Sequence, residues 1–232
     1  MISKESLAKN LYFDVETVCC EKSLSDLISK NPRLGELWKK RSDYYKKSES
    51  LSEMTDEEIF LSKAGLEPEF ARVVCVSFGT FDENMEKRFI SFYGEDESDI
   101  LNKSNKVLNN ALLKGWKLCG HNIKAFDVPC LAKRMIYSKI QPSQNINVWD
   151  KKPWEIPFLD TSEMFSFGSW SMQKTLSLDL LACSLGVESP KNDISGSDVS
   201  EVFWSTMDSE RIKDYCERDV NAVMSILETV SF

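Results

Sequence analysis

The stretch Leu11-Tyr12-Phe13-Asp14-Val15-Glu16-Thr17 limits the fold more than any other part of this chain. Three bulky apolar residues in a row read as a short strand buried on both faces. Strand side chains alternate between faces, so Asp14 and Glu16 emerge together on one side of the strand end. Two carboxylates held that close repel each other unless a cation compensates them, and Mg2+ favours carboxylate oxygens. The other reading is a strand running out into a polar turn with two solvated acids. This stretch alone leaves both open.

Which chemistries remain is narrowed by composition. At 232 residues, 42% hydrophobic and 28% charged, the chain fits one sizeable domain or a core domain carrying an insertion. No apolar run approaches the ~20 residues of a membrane span, and Met1–Glu5 has no apolar signal core. Seven cysteines, two of them adjacent (Cys19-Cys20) and none in C-x-x-C spacing, lead to an expectation of reduced thiols in a cytoplasmic protein. The one histidine, His121, removes most zinc chemistry and makes a Ser-His-Asp triad a poor fit. No phosphate-cradling glycine loop and no G-x-S-x-G elbow are present. A net charge of −8 argues against sequence-independent coating of nucleic acid. It is compatible with a nuclease, whose clustered acids bound cations would cancel.

After Thr17 the character changes. Asn31-Pro32 reads as a cap with proline at the first helical position, and Leu34, Leu37, Trp38, Tyr44 and Tyr45 fall on one side of the helix that follows. Lys39, Lys40, Lys46 and Lys47 fall opposite. Lys30–Lys47 holds seven basic and two acidic residues, a balance of +5, which leaves 22 basic against 35 acidic elsewhere. Such a helix is either a contact for a phosphate backbone or a solvated lysine face over a core stripe. Thr55-Asp56-Glu57-Glu58 is a capping box opening a short helix that Gly65 can close. Residues 20–68 therefore read as a helical insertion after the first strand. Strands 72–79 and 87–93 form a hairpin, followed by a helix near 98–113, strand 116–120, helix 128–140, loop 141–157, strand 158–160, helix 177–185 closed by Gly186, and a long final helix. This is a mixed α/β order.

Two more acids stand at telling places. Asp127 sits where a helix cap belongs, with Pro129 in the first turn. His121 reads as structural or as a hydrogen-bonding support. In the final helix Ile212, Tyr215, Cys216, Asp219, Val223, Ile226, Leu227 and Val230 make one stripe. An acid in mid-stripe is costly to bury without a partner, so Asp219 faces a metal, a cleft or a structural hydrogen bond. Tyr215 lies one turn earlier on the same face.

Phe13-Asp14-Val15-Glu16-Thr17, Asn122-x-x-x-Phe126-Asp127 and Tyr215-x-x-x-Asp219 resemble, in order, the three motifs of the DEDDy 3′–5′ exonucleases. The likeness is to the stand-alone predicted exonucleases related to the proofreading domain of family B DNA polymerases. Leu118–Asn122, Leu159-Asp160-Thr161, Ser177–Leu181 and Ser189-Pro190-Lys191 support it, from about Leu11 onward. The histidine-type subclass would need a histidine just before Asp219, where Asp214-Tyr215 stand. The resemblance implies one exonuclease domain over residues 1–232, an RNase H-like mixed sheet flanked by helices. It implies two divalent cations, Mg2+ or Mn2+, on Asp14, Glu16, Asp127 and Asp219, with Tyr215 orienting the attacking water. Thr17, Asn122, Phe126 and Lys191 become substrate-side residues, Phe126 chiefly through packing. The implied partner is the 3′ end of single-stranded DNA, with RNA as an alternative substrate. A catalytically silent nucleic-acid or partner-binding module is the reading from another class. Phe167, Trp170, Trp149 and Trp154, with Lys151, Lys152 and Lys191, are candidate strand contacts.

Overall fold

The computed structural model describes residues 3–168, 176–191 and 193–231. A five-stranded sheet, ordered β3-β2-β1-β4-β5, is built from β1 (Asn10–Cys19), β2 (Ala71–Phe81), β3 (Lys87–Tyr93), β4 (Lys117–Gly120) and β5 (Leu159–Asp160). β1, β2 and β3 form an antiparallel meander, while β4 and β5 run parallel to β1. The helices are α1 (Lys4–Leu7), α2 (Leu24–Lys30), α3 (Pro32–Tyr45), α4 (Asp56–Lys63), α5 (Glu97–Leu113), α6 (Asp127–Tyr137), α7 (Thr161–Met164), α8 (Leu178–Ser184), α9 (Val199–Glu201) and α10 (Ser209–Thr229). This is the mixed α/β, RNase H-like architecture expected of the sequence. None of the described helices is long and apolar enough to cross a membrane.

Strand alternation divides the core. Leu11, Phe13 and Val15 point into the layer shared with α5 and α6, where Ile100, Leu108, Val128 and Leu131 are buried. Tyr12 points to the other face, against Val220, Val223 and Met224 of α10. That face allows close approach because Gly79 of β2 has no side chain. A Cβ there would stand 2.6 Å from the Met224 sulfur and 2.7 Å from Val220 Cγ1. On the opposite face Arg134 of α6 makes a two-pronged ion pair with Glu97 of α5, and Glu97 also accepts the Val73 N–H. A charge-assisted fork of this kind fixes orientation as well as distance, and so holds α6, and Asp127 at its start, against the sheet.

Between β1 and β2 lie α2, α3 and α4, as expected of residues 20–68. Asn31 caps α3 by accepting from Leu34 N–H, and the Thr55–Glu58 capping box opens α4. Gly65 does not end α4 in a left-handed turn; α4 runs into a 3-10 turn, Ala64–Leu66. The insertion has a small core of its own around fully buried Trp38, with Leu27, Ile59, Phe60 and Phe70. The apolar stripe foreseen on α3 is narrower than its spacing suggested. Trp38 is buried, but Leu37 and Tyr44 are exposed. A thin layer offers one side chain's depth of cover, so residues at the stripe's margins stay in water.

Candidate active site

The acids of β1 stand in mid-strand rather than at a strand end. β1 continues to Cys19 because β2 pairs with it along its whole far half, from Tyr12↔Gly79 to Cys19↔Ala71. On its other edge β1 pairs with β4 only from Asn10 to Tyr12. The two parallel strands part where Gly120 ends β4; a Cβ on Gly120 would lie 2.8 Å from the Phe13 carbonyl oxygen. Past Tyr12, β1 has one open edge, and the cleft forms there. A bulge between Glu16 and Thr17, with Val74 the extra residue on β2, adds local twist beside the acids.

Asp127 occupies that open edge. Its Oδ1 accepts the Val15 N–H at 3.0 Å, taking the place of a β4 carbonyl. The cap role read from sequence is corrected here: Asp127 is the first residue of α6, and Phe126 precedes it without a side-chain cap. The carboxylate bonds across to β1 because a backbone N–H buried there needs an acceptor. Asp219 arrives from α10 on the face that Asp14 and Glu16 share. One turn before it, Cys216 Sγ lies 3.3 Å from Asp14 Oδ2 and 3.4 Å from the Asp14 carbonyl oxygen. Oxygens of Asp14 and Glu16 and the Cys216 sulfur all fall within 4.8 Å of one another. Asp14, Glu16, Asp127 and Asp219 line one cleft of about 540 Å³, with Thr17, Leu66, His121, Asn122, Phe126, Leu178 and Gly196 among its other walls.

Electrostatics follow from that crowding. Burial, then the charge of Asp127, pushes Asp14 up to about 8. Burial pushes Asp127 up to about 7, against the hydrogen bond from Val15 and with Asp160 and Asp219 adding to the rise. Glu16 and Asp219 rise well above the usual carboxylate range, through burial and then the charge of Asp14. None of the four is ion-paired with a basic side chain among the described residues. Crowded acids of this kind call for positive charge, and the all-oxygen donor set fits hard divalent cations. Cys216 has its thiol raised by burial, so it serves Asp14 as a hydrogen-bond donor.

Tyr215 is 5% exposed and lies beside Asp219. Burial, then the charges of Asp219 and Glu16, raises the phenol well above its ordinary range. A Cβ on Gly196 would sit 3.9 Å from its hydroxyl, so the phenol faces a wall left low by glycine. Asn122 holds φ at +61°, a left-handed conformation that asparagine tolerates. Asp160 imposes it, taking Asn122 N–H on Oδ1 at 2.8 Å and Lys124 N–H on Oδ2 at 3.0 Å. His121 is structural: Nε2 lies 2.7 Å from the Leu176 carbonyl oxygen and Nδ1 2.9 Å from Thr161 Oγ. Thr17 lines the cleft but gives its hydroxyl to the Gly65 carbonyl at 2.6 Å, which ties the insertion to β1 and leaves Leu66 at the cleft, 56% exposed.

Lys191 lies outside the cleft lining, exposed, with its charge easing the ionisation of Asp219. Arg218 does the same. It gives Nε–H to the Pro190 carbonyl and keeps Nη2 buried with no partner among the described residues. Phe126 forms a cleft wall, half-buried. Trp149, Trp154 and Phe167 are largely exposed and do not line the cleft; Trp170 lies outside the described residues. Lys46, just past the end of α3, is paired with Asp56, while Lys39 and Lys40 on α3 and Lys47 beyond it are exposed.

Asp160, Cys216, Leu66 and Arg218 went unread as site residues. Asp160 carried a usable signal, an acid at the end of a short strand beside Thr161. The others depend on contacts between elements far apart in the chain.

Residues 63–231 match a family model described as RNase_H superfamily. No curated protein matches the chain. Among the solved structures that match is the family B DNA polymerase from the hyperthermophilic archaeon Pyrobaculum calidifontis, with a TM-score of 0.58 at 14% identity over 95% of this chain. The likeness covers 24% of that polymerase.

Proposed function

The chain belongs to the RNase_H superfamily, and from that premise we propose that it is a metal-dependent 3′–5′ exonuclease acting on single-stranded DNA. The observation that carries the reading is the group of four carboxylates, from β1, α6 and α10, that open on one cleft with raised pKa values and, among the described residues, no ion pair to a basic side chain. Asp14, Glu16, Asp127 and Asp219 would hold two divalent cations, Mg2+ or Mn2+, which would supply the positive charge that lowers the pKa of a bound water and offsets charge on the leaving oxygen of a phosphodiester.

The chain's own groups do the rest. Tyr215 stays protonated at working pH, so its hydroxyl positions the attacking water by hydrogen bond and does not act as a base. Asn122, fixed by Asp160, presents its amide to the terminal nucleotide. Leu66, Phe126 and Leu178 give that nucleotide apolar walls. Lys191 and Arg218 put positive charge beside Asp219, where phosphates pass. Lys39, Lys40 and Lys47 would extend a basic track for the strand. DNA is favoured over RNA because the similar solved structure is a DNA polymerase.

The test is mononucleotide release from 5′-labelled and 3′-labelled single strands, DNA and RNA in parallel, with and without magnesium. The proposal expects immediate loss of a 3′ label and stepwise shortening of the 5′-labelled DNA strand, with magnesium only. Shortening from the 5′ end, or faster decay of RNA, rejects it in favour of another nuclease class; no release at all favours a silent module.

A further inference from the structure

β3 is the outer strand on the side of the sheet away from the cleft. Its pairing with β2 runs from Phe81↔Lys87 to Cys75↔Tyr93 without a bulge. The bonds Asp82 N–H to the Glu86 carbonyl (2.9 Å) and Gly94 N–H to the Val74 carbonyl (3.0 Å) bracket the strand and fix its phase. In an antiparallel ladder bonded and non-bonded pairs alternate. Arg88, Ile90 and Phe92 thus spend their backbone groups on β2, and Lys87, Phe89, Ser91 and Tyr93 turn theirs outward. Among the described residues no hydrogen bond reaches those outward groups.

A bare edge invites another strand unless charge, proline or a bulge guards it. The charges here are confined to one end and already paired, Lys87 with Glu228 and Arg88 with Asp82 and Glu86. Phe89-Ile90-Ser91-Phe92-Tyr93 carries neither charge nor proline, and Ile90 is 50% exposed.

We propose that β3 is a homodimer interface, at which a second copy of this chain adds its own β3 antiparallel across a two-fold axis at Ile90. The phase and the side chains select that occupant. Centred on Ile90, the pairing sets Lys87 against Tyr93 of the partner subunit and Phe89 against Ser91 of the partner subunit. At those pairs outward backbone groups meet outward groups. A slip of one residue would set them against groups already bonded to β2. Arg88 meets Phe92 of the partner subunit, Ile90 meets Ile90 of the partner subunit, and no two like charges face each other. Self-complementarity of this kind is what a two-fold interface requires. The two five-stranded sheets become one, with both clefts left open, because β1 lies two strands away from the edge.

Light scattering on the eluting protein tests this directly. At tens of micromolar the mass should be twice 26.6 kDa. Ile90→Lys, which opposes two ammonium groups at the axis, should return it to 26.6 kDa with the circular dichroism spectrum and per-chain nuclease activity unchanged. Should that variant fail to fold, Ile90→Cys decides. Non-bonded antiparallel partners lie ~4.5 Å apart at Cα, inside the ~4.4–6.8 Å span of a disulfide. Oxidised glutathione, accepting the two electrons, should then link two Ile90→Cys chains reversibly. Leu113→Cys, 84% exposed and off this edge, should stay unlinked. A wild-type mass of 26.6 kDa, a dimer that survives Ile90→Lys, or Ile90→Cys linking no faster than Leu113→Cys overturns the interface.

Discussion

The Val15 N–H donates to Asp127 Oδ1 across 3.0 Å, so one carboxylate both completes the open edge of β1 and joins the acid cluster. The two roles separate by substitution. Asp127→Asn keeps an oxygen acceptor for Val15, whereas Asp127→Ala leaves a buried N–H unpaired, at a cost of ~1–3 kcal/mol. At pH 5 the native carboxyl is protonated and its charge does not confuse the comparison. There Asp127→Ala should melt several degrees below Asp127→Asn, and both should be inactive. Equal melting temperatures would show that the edge bond contributes nothing to stability.

The raised carboxyls make the metal-free protein sensitive to base. Each acid titrates near ~4 in the unfolded chain, but Asp14 near about 8 and Asp127 near about 7 in the fold. Between those limits the folded state binds more protons than the unfolded one, so stability falls as pH rises. As far as Asp14 and Asp127 are concerned it is highest below pH ~4, and their share of the loss is complete above about 8. Melting temperature without divalent cations should therefore drop from pH 5 to pH 9, and Mn2+ should reverse the drop most strongly at high pH. Asp14→Asn should flatten the slope and raise the metal-free melting temperature. A flat wild-type profile in chelator would contradict the acid crowding.

Tyr215 separates a packing role from a positioning role. Were only its ring important, Tyr215→Phe would cost ~1 kcal/mol of stability with normal turnover. As the group that orients water, its hydroxyl should be worth roughly 10²-fold or more in kcat. Metal affinity should survive, since the carboxylates remain. kcat and kcat/KM should fall together, as for an interaction made mainly in the transition state. Wild-type turnover in saturating magnesium would remove Tyr215 from the mechanism.

Much of the arrangement was legible because each acid broke a local rule. Asp219 interrupts an apolar helix stripe, and Asp14 and Glu16 share one face of a buried strand; such breaks mark sites. The structure brings these together with Asp127, as the motif order implied. Sequence could not say that β4 stops short of Asp14, because strand length is set by the neighbour that pairs with it. For the same reason Asp127 read as a cap when its acceptor oxygen serves a strand 112 residues away. The exposed margins of α3, Leu37 and Tyr44, reflect how thin the layer beneath them is, and periodicity carries no record of depth. Thr17 read as a substrate contact, but its hydroxyl is spent on Gly65, a partner supplied by the insertion's return to the sheet.

The central claim, that four acids from three elements form one divalent-cation centre, is tested most directly by Mn2+ titration followed by electron paramagnetic resonance. Wild-type protein should take up two ions per chain, with exchange-broadened spectra from ions ~3.5–4 Å apart. Asp14→Asn and Asp127→Asn, altered on different elements, should each abolish the paired signal while the circular dichroism spectrum stays unchanged. A wild-type chain that binds no Mn2+ at millimolar concentration, or a paired signal that persists in either variant, would contradict the account.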